Sequence, residues 1–275
     1  YVYWEARCTV GYDSKTGKQK QKSITGKTQK EVAQKLREIL SEIDRGTYCE
    51  PSRLTVDQWM DIWLRDYLRD LSCNTRTHYA SIVRTHIKPT MGRFRLEELH
   101  THMIQRFYGD LQDKGMAPGS VRFVHAVLHG ALQRAVAIHY LRANPADGCV
   151  LPRNQRRELT TLDDDMIRAF MDAIKGNPYE LLYLVALFTG LRQGELLGLT
   201  WSCVDFHQGT LLINKQIQKV QTSPKRYDYQ QVPTKSRNSR TITPAREVLT
   251  WLQRQRATQS EWRLRAGPAW QNDRD

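Results

Sequence analysis

Arg192 and Glu195 stand three residues apart in Thr189-Gly190-Leu191-Arg192-Gln193-Gly194-Glu195-Leu196-Leu197-Gly198-Leu199-Thr200-Trp201. Their surroundings are otherwise largely apolar, and an unpaired charge in such a setting is costly. Two readings stand on these residues alone. Arg192 and Glu195 can close a structural ion pair, or they can belong to a functional site. A second cationic stretch follows, Val232-Pro233-Thr234-Lys235-Ser236-Arg237-Asn238-Ser239-Arg240-Thr241-Ile242. Its cations are Lys235, Arg237 and Arg240. No carboxylate cluster of the kind that holds two metal ions occurs, so neither a metal nor another cofactor is expected.

The elements around these residues follow from pattern. Tyr179 to Thr189 is nearly all apolar and predicts a buried helix that ends at Gly190. Asp163-Asp164-Asp165 suits the start of another helix through the macrodipole. Strands are predicted over 210–220, near 230–233 and over 240–243, with a last helix from about Pro244 to Arg265. Upstream, four helices are predicted. Thr55 opens the first, which carries Trp59, Met60 and Trp63. The second spans about Thr75 to Ile87 and stops at Pro89 and Gly92. The third spans about Thr101 to Lys114, and the fourth about Ser120 to Ile138. Short loops between them predict a compact bundle with the tryptophans inside.

Residues 1–28 read as short strands, and Thr28 with Glu31 reads as a capping box for a helix through Asp44. Residues 14–30 hold six lysines and no acid. That pattern fits a solvated hairpin or a basic β-ribbon able to lie in a major groove. Gly46 to Ser52 and Pro152 to Glu158 read as linkers. The expected layout is multidomain and mainly α with small β elements. It comprises an N-terminal three-stranded sheet plus helix (1–50), a four-helix bundle (53–150) and a partial mixed α+β domain (158–275).

The 275 residues carry a net charge of +13. The surplus is spread as +3, +4 and +6 over residues 1–50, 51–150 and 151–275, as expected if several modules each touch phosphate. Nucleic acid or an anionic membrane surface is the implied partner. No apolar run is long enough for a transmembrane helix. The five cysteines are scattered and form no CxxC pair, so neither a disulfide scaffold nor a zinc site is expected, and a reducing cytoplasm fits.

The stretch Thr189–Trp201 resembles the first signature of the tyrosine recombinase (phage integrase) family, and the resemblance runs along the chain. The opening strands and lysines resemble an arm-site DNA-binding domain. Gly46-Thr47-Tyr48 through Val56 is similar to the junction into a core-binding domain, and Val124 to Leu132 to that domain's last helix. Residues 232–242 resemble the family's hairpin with its catalytic lysine. The resemblance implies strand exchange through a 3′-phosphotyrosyl link and a freed 5′-hydroxyl. It assigns Arg192 to the non-bridging oxygens, Glu195 to ordering that site, and Lys235 to protonating the leaving 5′-oxygen. Many relatives carry an additional lysine here that is often taken as catalytic, whereas Lys235 is the only one in this turn, with Arg237 and Arg240 as substitutes.

The resemblance further implies DNA contacts from Lys18, Lys20, Lys22 and Lys27 at arm-type sites, and from Arg76, Arg84 and Arg122 at core-type sites. It implies self-association on DNA, a tetramer in the full synapse, and accessory DNA-bending proteins. The family's nucleophilic tyrosine follows its hairpin, but all twelve tyrosines here precede Lys235. The chain as given is therefore expected to bind DNA without cleaving it. Two alternatives stay open: a non-catalytic regulator on an integrase scaffold, and a basic helical protein acting on RNA or a membrane surface. The second lacks RNA-binding aromatic motifs and a lipid-inserting face.

Overall fold

A computed structural model describes residues 3–12, 18–45, 53–154, 158, 160–223, 226–235 and 238–271. It divides the chain into two compact units, Tyr1–Arg156 and Arg157–Asp275.

The first unit begins with strands β1 (Trp4–Tyr12) and β2 (Gln19–Gly26), paired antiparallel, and helix α1 (Gln29–Asp44). Among the described residues this sheet has two strands where three were expected. Alternation buries Cys8 and Ile24 beneath Val32 of α1. Thr28 accepts from the Glu31 amide at 3.2 Å, as an N-cap should. The Glu31 carboxylate reaches past Thr28 and takes the Lys27 amide at 3.0 Å, so half of the expected capping box forms.

The rest of this unit is the helical bundle. Helix α2 (Val56–Asp66) starts with a full capping box between Thr55 and Gln58. Helix α3 (Cys73–Ile82) runs into a π-helical turn (Val83–Ile87) and then helix α4 (Lys88–Met91). Pro89 was expected to stop this helix, yet helical backbone continues to Met91. The wider turn explains it: the Lys88 amide bonds back to the Val83 carbonyl, and the shift in register absorbs the amide that proline lacks. Helices α5 (Thr101–Asp113) and α6 (Pro118–Ala137) complete the four-helix arrangement. Trp59, Met60, Ile104, Leu128 and Leu132 are fully buried in one core. The Trp59 indole donates to the Ala131 carbonyl at 3.0 Å, so its polar atom is satisfied where it is buried.

The second unit carries helices α7 (Asp164–Ile174), α8 (Glu180–Thr189), α9 (Gln193–Leu197) and α10 (Arg246–Ala266). Its three-stranded antiparallel sheet has the order β3 (Val204–Asp205), β4 (Thr210–Ile213), β7 (Arg240–Ile242). A separate ribbon pairs β5 (Lys215–Ser223) with β6 (Arg226–Pro233). The single strand expected over 210–220 is thus two strands in two sheets, divided at Asn214. Val185, Leu191, Leu211, Ile213, Val248 and Leu252 form the core.

Helix α8 departs from expectation. Only Leu184 and Val185 are buried, while Tyr183 and Phe188 are exposed. Its apolar surface lines an open cavity of about 510 Å³ with Leu197, Trp251 and Trp262. Hydrophobicity all round a helix signals burial only when partners cover every side. Among the described residues no helix is long and apolar enough to cross a membrane.

Candidate functional site

Local sequence sets Arg192 in place through a chain of small decisions. Thr189 donates to the Val185 carbonyl, closing the last turn of α8. Gly190 takes φ +62°, the left-handed cap that glycine adopts without a Cβ penalty. Leu191 then turns into the core, and Arg192 emerges as the N-cap of α9. Gly194 and Gly198, one turn apart, lay α9 on the backbone of β5. A Cβ at Gly198 would sit 2.7 Å from Gln216 Cα, and one at Gly194 would sit 3.0 Å from the Ile217 carbonyl oxygen. The glycines of the signature therefore serve a close helix–strand approach.

Glu195, with its side chain 1% exposed, is the centre of the site. Its Oε1 accepts from Arg192 Nη1 at 3.0 Å and from Arg240 Nη1 at 3.1 Å. Its Oε2 accepts from the Arg192 amide at 3.2 Å and from Arg240 Nη2 at 2.6 Å. The Arg240 fork is the largest cause that holds the carboxyl down at about 2, with the Arg192 bonds adding to it and burial opposing. The same bond to Glu195 raises the Arg240 pKa.

Arg192 spends one guanidinium nitrogen on Glu195 and remains 69% exposed. The ion pair therefore forms, and the rest of the Arg192 side chain stays exposed.

The depressed carboxyl gives a sign-defined pH dependence. A group whose folded pKa lies below its ordinary value of 4.5 contributes stability that is full above that value and is lost as pH falls toward about 2. We expect Glu195→Gln to cost on the order of 3 kcal/mol at neutral pH. The deficit should shrink through that acid window in urea unfolding followed by tryptophan fluorescence. A deficit that stays constant from neutral pH down to about 3 contradicts the ion-pair assignment.

Lys235 was expected inside the hairpin. It lies beyond the β5–β6 ribbon, exposed, between β6 and β7. Ser236 and Arg237 fall outside the described residues. Arg240 was an alternative acid, but both of its terminal nitrogens are committed to Glu195, and a guanidinium does not give up its proton in proteins. Its role as the partner of Glu195 escaped the sequence reading. Nothing local marks a contact across 45 positions, although a buried glutamate with one exposed arginine leaves acceptor sites to fill.

The remaining candidates are spread out. Arg76 is exposed on α3, Arg84 in the π turn and Arg122 on α6, where it donates to the Pro152 carbonyl at 3.3 Å. Lys18 precedes β2 and Lys27 follows it, both exposed. Lys20 and Lys22 share the strand parity of the buried Ile24, so they project from the α1 side of the sheet. The opposite face presents Glu5, Arg7, Thr9, Gln21, Ser23 and Thr25 by register. The open face is mainly hydroxyl and amide with one Arg–Glu pair. Among the described residues no group of His, Cys, Asp and Glu side chains could hold a metal ion.

Comparison with known proteins fits this geometry. The family described as "Phage integrase, N-terminal SAM-like domain" matches residues 55–112, and "Phage integrase family" matches residues 160–265. A "Tyrosine recombinase XerC-like" protein of Caldanaerobacter subterraneus subsp. tengcongensis is 30% identical over 98% of this chain and 72% of its own length. An integrase of Streptomyces ambofaciens is 30% identical over 73% of this chain, which spans about half (52%) of that relative. The fold is shared with the Tn1549 transposon integrase solved with a circular intermediate DNA. There the TM-score is 0.65 at 20% identity, over 73% of this chain and 64% of that one. It is also shared with a lambda integrase dimer bound to a core site, with a TM-score of 0.53 at 21% identity over 66% of this chain and 63% of that one. With a 30% identical relative aligned over 98% of this chain and 72% of that relative, and two phage integrase families matched in order, the chain belongs to the tyrosine recombinase (phage integrase) family.

Proposed function

We propose that this chain supplies the DNA-binding modules and the phosphate-binding half of a site-specific recombinase active centre. The observation that carries this is Glu195, whose carboxylate is saturated by two arginines while Arg192 keeps most of its fork in solvent. A guanidinium oriented in this way meets the two non-bridging oxygens of a phosphodiester bidentately. Negative charge builds on those oxygens as an attacking tyrosine bonds to phosphorus, so a preset cation lowers the barrier without reorganising. Lys235 is an exposed ammonium between β6 and β7. Its role is to protonate the departing 5′-oxygen, which leaves poorly as an alkoxide. The step forms a tyrosyl phosphodiester, breaks the P–O5′ bond and leaves a 5′-hydroxyl. Attack by a 5′-hydroxyl of the partner strand reverses it, so no external energy source enters.

Three modules serve this centre: residues 1–50 on arm-type DNA, 53–150 on core-type DNA, and 158–275 around the scissile phosphate. Self-association on DNA and DNA-bending accessory proteins belong to the same reading, as does action in a bacterial cytoplasm. In the first module the open face of the sheet reads bases through Arg7, Gln21, Ser23 and Thr25, and the lysines meet phosphates. Replacing Lys18, Lys20, Lys22 and Lys27 with Gln is therefore expected to weaken arm-type binding and leave core-type binding unchanged. Equal weakening of both, read by fluorescence anisotropy, contradicts separate modules.

The phosphate centre is tested by ethylation interference on a duplex selected from a random library with this chain. Ethylation neutralises one phosphate at a time. The expected result is a phosphate whose ethylation blocks the parent chain but no longer affects Arg192→Ala or Lys235→Ala, because each has already lost its contact there. If the two variants lose interference at different phosphates, or at none, the shared centre does not exist.

A further inference from the structure

Three rings lead from the core of the helical bundle to its surface. Trp63 of α2 is buried, and Tyr79 of α3 stacks on it with centroids 5.9 Å and planes 11° apart. Phe123 of α6 meets Tyr79 edge-on at 5.9 Å and His78 at 5.6 Å. Phe123 ends this ladder 37% exposed, the one phenylalanine among the described residues of the bundle that stays open. We infer that Phe123 is a specificity-determining residue for DNA: its ring packs on the C5-methyl group of a thymine in the major groove. This rests on the core-type DNA binding proposed above for residues 53–150 and names one base group that it reads.

The side of α6 around Phe123 is shallow. Gly119, Ser120 and Ala126 lie three or four residues from Phe123 on that side, and all three are exposed. Neighbours this small let the helix approach a base edge closely. Charge surrounds the ring. Arg76 is exposed one turn before Tyr79, Arg84 follows in the π turn, and Arg122 precedes Phe123 on α6. Arg76 and Arg84 make no hydrogen bond or ion pair among the described residues. Arg122 spends one nitrogen on the Pro152 carbonyl. Exposed guanidinium groups on both helices suit backbone phosphates, which fix the register in which a base is read.

A phenyl ring has no hydrogen bond to give or accept, so it cannot read the donor and acceptor pattern of a base pair. The apolar group that base edges offer in the major groove is the thymine methyl. Tyr79 and His78 fix the orientation of Phe123 in advance, so little side-chain freedom is lost on contact. They also hold the ring against the α3–α6 seam, which favours contact with a base edge over insertion between stacked bases.

The probe is the duplex selected from a random library with this chain, with single thymines replaced by deoxyuridine. That change removes one methyl group and keeps the base pairing. The parent chain is expected to lose about 4-fold in affinity at one thymine, the worth of one buried methyl-sized group. Phe123→Ala should bind the thymine and uracil forms equally there and respond like the parent at every other position. Phe123→Leu, which keeps an apolar contact, should retain part of the preference. A ring with a purely structural role, or one inserted between bases, would leave the methyl preference of Phe123→Ala equal to that of the parent, and that result overturns the inference. Ethylation interference with Arg76→Gln and Arg122→Gln supplies a second measurement that leaves Phe123 in place. Each variant should lose one phosphate, and the methyl-sensitive thymine should lie in the groove that those phosphates border. A thymine elsewhere overturns the inference even if Phe123→Ala does not fold. If neither arginine variant loses a phosphate, the bundle reading itself is refuted and the thymine contact falls with it. Mapped phosphates without a thymine whose methyl depends on Phe123 refute the thymine contact alone.

Discussion

Raising salt from about 50 to about 200 mM is expected to lower the affinity of this chain for duplex DNA by about 10³- to 10⁵-fold, as for a protein that neutralises about six to ten phosphates. The charge of +13 is distributed over the chain rather than held in one tail, so the contacts should be additive and dispersed. Each phosphate contact contributes roughly 0.9 to the slope of log affinity against log salt. Arg122→Gln on a core-type duplex and Lys18→Gln on an arm-type duplex should therefore each flatten the slope by about that amount, with the midpoint of thermal unfolding unchanged. Filter binding across a salt series measures this directly. A flat response removes DNA as the partner and favours a partner recognised through apolar contacts.

Much of the fold was legible because its signals are local. Thr55 with Gln58 marks the start of α2, Asp163 caps α7 through the Met166 amide at 2.8 Å, and Gly190 ends α8. Each is decided within one helical turn. The tryptophans at helical spacing are core, as expected. The misreadings share a different origin. Pro89 looks like a stop because proline cannot continue an ordinary α-turn, and only the preceding π turn reveals how the backbone accommodates it. Residues 210–220 look like one strand because composition does not reveal that β4 and β5 pair with different partners. Helix α8 looks buried because hydropathy reports what a surface would prefer, not what covers it.

The site divides in the same way. Arg192 and Glu195 were visible as a pair at helical spacing, and the structure joins them. The contribution of Arg240 was not visible, because it depends on β7 returning beside α9 after the ribbon. The lysines of β2 were visible as a charged run, but their face was not. The parity that puts Lys22 on the side of Ile24 becomes meaningful once α1 is known to cover that side. Charge runs report that a phosphate partner is plausible, and strand register reports which side chains can reach the bases.

The division of labour between Arg192 and Lys235 has the sharpest consequence. An alkoxide is a poor leaving group, and an ammonium such as that of Lys235 can supply the proton it needs. Loss of such a general acid typically costs about 10²- to 10⁴-fold in rate. A thiolate leaves without help, because thiols are far more acidic than alcohols. The decisive measurement is single-turnover cleavage of a duplex with sulfur in place of the 5′-bridging oxygen, by a polypeptide that carries these residues together with a nucleophilic tyrosine. Lys235→Ala is expected to be deeply impaired on the oxygen substrate and to recover nearly all of its lost rate on sulfur, while Arg192→Ala stays impaired on both. Failure of sulfur to rescue Lys235→Ala, or equal rescue of both variants, contradicts the assignment of Lys235 as the acid and Arg192 as the phosphate clamp.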